Sequence, residues 1–154
     1  FGVGALQSLR SLRRRLPCSL GLTKMPVSAT AIQDTVSLPK GSDVLRVDYD
    51  VDCLSVHVAC METGQRYVVQ FWGPEGYRVL DERDLAEFWP TCSTPNGWLF
   101  EVQSGGWLEQ EFERPGSMIA HLNRGLREFF VAGMNSCVSV LTVNAPEVSK
   151  RVQE

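Results

Sequence analysis

The clearest pattern along the chain is an alternation of apolar and polar residues that begins at Val44. Apolar side chains alternate with charged ones through 44–49, as they do in a strand with one buried face. The alternation then shifts by one residue, and such a shift reverses the face that is buried. We therefore predict two strands, 44–49 and 53–61, with a turn or bulge between them near Asp50–Cys53.

Short runs rich in β-branched and aromatic residues continue along the chain. Pairs of turn-forming residues such as Gly-Pro and Gly-Gly separate these runs. The connections are too short for the crossovers that parallel strands need, so neighbouring strands are expected to be antiparallel. The further strands that we predict are 66–72, 77–80, 97–103, 107–112, 127–131 and 137–143. A short strand at 34–38 is expected inside an otherwise irregular segment, 25–43, and the tail 144–154 is expected to fray.

One helix is predicted over 82–89. Asp81 can accept hydrogen bonds from the first backbone amides, and Pro90 is expected to terminate the helix. Its buried stripe would consist of Leu85, Phe88 and Trp89. A further helical turn is predicted near 118–124. The fold class that follows is α+β, a mainly antiparallel, meandering β-sheet with the helix packed on or beside it.

Charge divides the chain into two parts. Residues 1–24 contain five basic residues and no acidic one, whereas 25–154 contain 10 basic and 18 acidic residues, a net charge of −8. The basic leader 1–24 has the composition of a mitochondrial transit peptide. The alternative, which we favour, is that it lies upstream of the true start near Met25. In both interpretations a single domain spans 44–143, outside the leader.

The acidic charge of the domain bears on its partners. It disfavours nucleic acid and anionic lipid and favours a basic protein. No apolar run approaches 18 residues, so no membrane-spanning helix is expected. The four cysteines of the domain are too widely spaced for a zinc knuckle or a thioredoxin-like pair, and most lie in apolar strands. Free buried thiols favour a cytoplasmic location, with two disulfides in an exported protein as the alternative. We expect no cofactor.

His57 and His121 are the only histidines, so a histidine-based site must use one of them. His57 follows Ser55 on the polar side of a predicted strand, but no oxyanion element or nucleophile elbow accompanies the pair. A surface histidine is the simpler interpretation. Cys53 and His57 share a strand face that Cys60 does not, so we predict no metal site. No catalytic residue is assigned.

Two rows of carboxylates are candidate binding residues for a basic partner. If the strands are regular, each row projects from one face and offers acceptors to lysine and arginine side chains. A solvated strand surface is the plainer explanation, and a site for a hard cation is a third one. The first row is Asp48, Asp50 and Asp52, and the second is Glu109, Glu111 and Glu113.

A family resemblance adds a functional expectation. The segments that carry it are 76–89, 97–100, 104–111, 127–131 and 137–141. They resemble a group of small, mostly uncharacterised bacterial proteins, some of which are similar to immunity proteins of polymorphic toxin or contact-dependent inhibition systems. The resemblance covers about 44–143 and implies a non-enzymatic domain that neutralises a toxin by covering its active surface. The alternative is a small enzyme or ligand-binding protein with a pocket beside the helix, using Asp81, Glu82 or His57.

Overall fold

The structure, a computed structural model, describes residues 26–32, 41–93, 95–122 and 125–151. The leader 1–24 and the strand predicted at 34–38 therefore lie outside the described residues. Within the described ranges the chain forms nine strands, three short helices and one 3₁₀ turn.

The strands are β1 (Ser28–Ala31), β2 (Ser42–Tyr49), β3 (Cys53–Cys60), β4 (Arg66–Trp72), β5 (Gly76–Asp81), β6 (Leu99–Ser104), β7 (Arg127–Val131), β8 (Ser136–Thr142) and β9 (Glu147–Arg151). The helices are α1 (Trp89–Cys92), α2 (Trp107–Glu113) and α3 (Ile119–Leu122), and the 3₁₀ turn covers Glu82–Asp84. Strands β2 to β8 and helix α3 confirm the corresponding predictions, apart from small differences at their ends.

The strands divide into two antiparallel sheets rather than one meander. One sheet has four strands in the order β2-β3-β4-β9, and the other has five in the order β1-β6-β7-β8-β5. All their pairings are antiparallel. The predicted class, α+β and mainly antiparallel, is confirmed.

The two sheets pack face to face around the main core. The Phe71 and Phe129 rings, one from each sheet, lie 5.9 Å apart between centroids. Each fully buried side chain of this size stabilises the fold by roughly 1.5–3 kcal/mol. The other buried residues include Leu54, Val56, Val58 and Val69 from the four-stranded sheet, with Leu99, Val131, Val138 and Val140 from the five-stranded sheet.

A second core covers the outer face of the five-stranded sheet. Phe88 stacks on Phe130 with ring centroids 4.4 Å apart, and Leu85 and Cys92 are buried beside them. Phe129 and Phe130 therefore face opposite cores, which explains why β7 ends in consecutive apolar residues. The 82–93 segment packs on the sheet, as expected for the predicted helical element.

The predicted continuous helix over 82–89 is wrong in its extent. Asp81 does cap the segment, since its Oδ1 accepts from the Arg83 backbone N at 3.0 Å. The helix-like geometry stops after Asp84 and resumes in α1. Pro90 lies in the first turn of α1, where its fixed φ and missing N–H favour a helix start rather than an end.

Two segments expected to be irregular contain strands. In 25–43, β1 pairs with β6, and in the tail 144–154, β9 pairs with β4. The sequences SATA and EVSKR have little strand propensity of their own. Each segment is held as a strand by backbone hydrogen bonds to one neighbouring strand. Local propensity gives no information about such pairing.

Candidate functional site

The second predicted acidic row does not exist, because 107–112 is not a strand. Gly105, with φ of 76°, and Gly106 end β6 and begin helix α2. The Leu, Glu and Gln residues that follow are strong helix formers. On a helix, residues two apart project in different directions, so Glu111 faces away from Glu109 and Glu113. The latter two are exposed and Glu111 is buried.

Glu111 anchors the segment after α2 instead of facing a partner. Its Oε1 accepts from Trp107 Nε1 at 3.0 Å, and its Oε2 accepts from Arg114 Nε and Ser117 Oγ, each at 2.8 Å. The hydrogen bond from Arg114 is the main cause that lowers the pKa of Glu111 to about 2. This carboxylate is therefore a structural group.

A second buried carboxylate holds the start of α2. Glu128 Oε2 accepts from the Leu108 backbone N at 2.8 Å, which replaces the missing side-chain cap at Gly106. A Cβ on Gly106 would collide with the same carboxylate, so the close contact between residue 106 and Glu128 requires glycine. Burial raises the pKa of Glu128, and the hydrogen bond from the Leu108 amide is the main cause that opposes this rise. Glu128 is not among the predicted site residues, because nothing in its local sequence pattern indicates this role.

The first predicted acidic row is broken after its first member. Asp48 lies on β2 and accepts from Arg46 Nε at 2.7 Å, while its other oxygen lies 3.0 Å from His57 Nε2. Arg46 is the main cause that lowers the pKa of Asp48. Strand β2 ends at Tyr49, so Asp48 is a paired residue on the sheet surface and does not continue into a row.

Asp50 and Asp52 lie in the turn between β2 and β3. Asp50 Oδ1 accepts from the backbone N of Asp52 at 3.0 Å and of Cys53 at 2.9 Å, so this side chain builds the turn. Both aspartates remain exposed. The predicted turn near Asp50 is confirmed.

Three turns meet at one end of the two sheets, and we call this surface the turn end: 50–52, 73–75 and 143–146. The Gly73 backbone N donates to the Asp52 carbonyl at 2.8 Å, which joins the first two turns. Asn144 Nδ2 donates to the Trp72 carbonyl at 2.9 Å, which joins the third. The Tyr49 and Tyr77 rings, 5.3 Å apart, bridge the two sheets beside these turns.

The turn end exposes large apolar side chains. Val51 is 85% exposed, and Tyr49, Trp72, Tyr77 and Val143 are also exposed. Single exposed apolar residues are normal on a protein surface, whereas a group of five on one end is typical of an interaction surface. Aromatic residues are the type most enriched at the centres of such surfaces.

Carboxylates surround these apolar residues. The segments 47–53, 72–77 and 142–147 contain five acidic residues and no lysine or arginine: Asp48, Asp50, Asp52, Glu75 and Glu147. Asp48 pairs with Arg46, whereas no described residue forms an ion pair with any of the other four. The turn end therefore combines an aromatic centre with a rim of negative charge.

The alternative prediction was a pocket beside the helix, and the structure has a cleft at the end of the sheets opposite the turn end. A cleft of about 410 Å³ lies beside α1, and Glu82 lines it. The other two residues named for that alternative are elsewhere. Asp81 pairs with Arg83 at 2.8 Å, and His57 lies against Asp48 on the other sheet.

The part of the chain that the structure describes contains no group of three or more His, Cys, Asp or Glu side chains placed to hold a metal ion. Cys53, Cys60, Cys92 and Cys137 are buried free thiols. Among the described helices, none is long and apolar enough to cross a membrane. No protein-family model, curated protein or solved structure matches the chain.

Proposed function

We propose that this chain is a non-enzymatic protein-binding domain, an immunity-like inhibitor that neutralises a toxin by binding its basic surface through the turn end. The observation that carries the proposal is the group of exposed apolar residues, centred on Val51, surrounded by unmatched carboxylates. The acidic surface is thus the turn end, in place of the two strand rows. The net charge of −8 over 25–154 supports the same kind of partner.

The two kinds of residue have different roles in binding. Aromatic side chains desolvated at the centre of an interface contribute most of its affinity. Carboxylates at the rim speed the encounter with a basic protein and contribute less to affinity. Truncating Tyr77 should therefore speed dissociation, whereas neutralising Asp52 and Glu75 should slow association.

The experiment measures association and dissociation rates with the protein encoded by the neighbouring gene, at several salt concentrations. The double variant Asp52→Asn, Glu75→Gln should associate roughly 3–10-fold more slowly at low salt and approach the wild-type rate at high salt. Asp84→Asn is the matched control, because this exposed aspartate lies on the 3₁₀ turn at the other end of β5. Absence of binding, or equal slowing by the control, would contradict the proposal.

A further inference from the structure

The cleft beside α1 is separate from the turn end and has its own chemistry. Glu82, Trp89 and Cys92 line one side, and Ala132 and Met134, from the end of β7 and the turn before β8, line the other. Its volume of about 410 Å³ is within the range of pockets that hold small organic molecules.

Among the described residues, Glu82 is the one charged residue that lines the cleft. Its backbone N donates to the Asn135 carbonyl at 3.2 Å, and no described residue forms an ion pair with its carboxylate. Asp43 and Asp81 add negative potential nearby, since both, with Glu82, oppose ionisation of the Cys137 thiol. Arg83 pairs with Asp81 and also attracts Glu82, so one guanidinium faces these three carboxylates. The field in the cleft therefore favours a cation.

The indole of Trp89 is held in place against the backbone of Glu82. Its Nε1 donates to the Glu82 carbonyl at 3.2 Å, and its ring contacts Phe130 edge-on with centroids 6.4 Å apart. A cation close to an aromatic face gains a further electrostatic attraction. The bond to the backbone thus keeps an aromatic ring in the cleft, next to the residue that carries the lining charge.

The rest of the cleft suits an apolar body. Cys92 is fully buried, and burial raises the pKa of its thiol to about 12, so the sulfur is neutral at physiological pH. Ala132 and the exposed Met134 provide apolar surface. The Ser42 hydroxyl donates to the Ala132 carbonyl at 2.6 Å, which leaves its oxygen as an acceptor.

We infer that this cleft binds a small organic cation, a primary or secondary ammonium on an aromatic or aliphatic body. Glu82 is the counter-ion of the ammonium, Trp89 is the aromatic wall, and Ala132 and Met134 contact the apolar body. This site would operate independently of the turn end.

The test titrates the protein with three probes of similar shape: phenethylamine, neutral 2-phenylethanol and anionic 3-phenylpropanoate. Binding is followed by calorimetry and by the NMR signal of the Trp89 indole N–H. Phenethylamine should bind about tenfold more tightly than the alcohol, and the anion should bind more weakly than both. Equal affinities of the amine and the alcohol, or no change in the Trp89 signal at millimolar amine, would overturn the inference.

Variants identify the counter-ion. Glu82→Gln should reduce the affinity for phenethylamine to that for the alcohol, and Asp84→Asn, on the same 3₁₀ turn but exposed, should leave it unchanged. If Glu82→Gln does not fold, Met134→Lys at the exposed edge of the cleft tests the same field, because the added cation should weaken amine binding about tenfold. Unchanged amine affinity in the variant measured would overturn the inference.

Discussion

Replacing Glu111 with Gln should destabilise the fold, although a carboxylate on an exposed strand face would tolerate the same change. In the structure Glu111 Oε1 accepts from Trp107, and Oε2 accepts from both Arg114 and Ser117. A glutamine keeps one acceptor oxygen. If that oxygen stays on Trp107, the new NH₂ group faces the two donors that Oε2 had satisfied.

The magnitude follows from these two lost bonds. Ser117 is buried, and leaving a buried hydroxyl without its acceptor costs about 1–3 kcal/mol. The Arg114 side chain is 56% exposed, so water screens its ion pair and the loss of that pair adds little. We expect a total loss of about 1–3 kcal/mol in the free energy of unfolding.

The assay is urea unfolding of the wild type and of three variants of α2. Glu111→Gln should lower the midpoint by about 1–2 M with an unchanged slope. Glu109→Gln and Glu113→Gln are matched controls, because both side chains are exposed on the same helix, and each should change stability by less than about 0.5 kcal/mol. A result for Glu111→Gln that equals the controls would refute the assignment of an anchoring role.

The pH dependence provides a second check. The folded-state pKa of Glu111 is about 2, below its ordinary value of 4.5, so its stabilising contribution is complete above 4.5 and is lost as the pH falls toward 2. The stability difference between the wild type and Glu111→Gln should therefore shrink between pH 4.5 and pH 2. A difference that stays constant over this range would contradict the ionised, hydrogen-bonded state.

Three further changes in stability can be measured in the same urea assay. Gly106→Ala should cost about 1–3 kcal/mol, because its Cβ would overlap the Glu128 carboxylate, and a neutral result would contradict that close approach. Leu85→Ala should cost about 2–5 kcal/mol, against little change for Val79→Ala at an exposed position, and equal effects would show that the 82–93 segment is not docked. Ser139→Ala should be neutral or stabilise by up to about 1 kcal/mol, because its buried hydroxyl has no partner among the described residues, and a clear loss would reveal one.

The strands that could be predicted are those whose pattern is local. Strands β2 to β8 have alternating or continuous apolar residues within their own length, and that information is enough to find them. Their division into two sheets depends on distant pairings, such as Gly76 with Leu141, which no short window contains. The weakly patterned β1 and β9 could not be found for the same reason.

Helix α2 was wrongly predicted as a strand, for a different reason. Its glutamates recur every second residue and imitate a strand, but the preceding glycines and the helix-forming composition favour a helix. Residues from outside the segment decide the structure, since Glu128 holds the amide of Leu108 and Ser117 holds Glu111. Propensity could have indicated the helix, whereas the burial of Glu111 could not have been predicted.

Only part of the turn end could be predicted from the sequence. The acidic residues of its first turn stand out in the chain, but Glu75 and the exposed tyrosines come from other segments. A backbone hydrogen bond between Gly73 and Asp52 brings these segments together. Such proximity depends on sheet topology, so composition indicates the charge of the surface and not its location.

An NMR footprint of the domain in complex with the protein encoded by the neighbouring gene locates the binding surface directly. Backbone amides in 50–52, 73–75 and 143–146, together with the side chains of Tyr49 and Tyr77, should change most on binding. A footprint centred on 82–93, or on the four-stranded sheet around His57, would contradict the claim that the turn end is the binding surface.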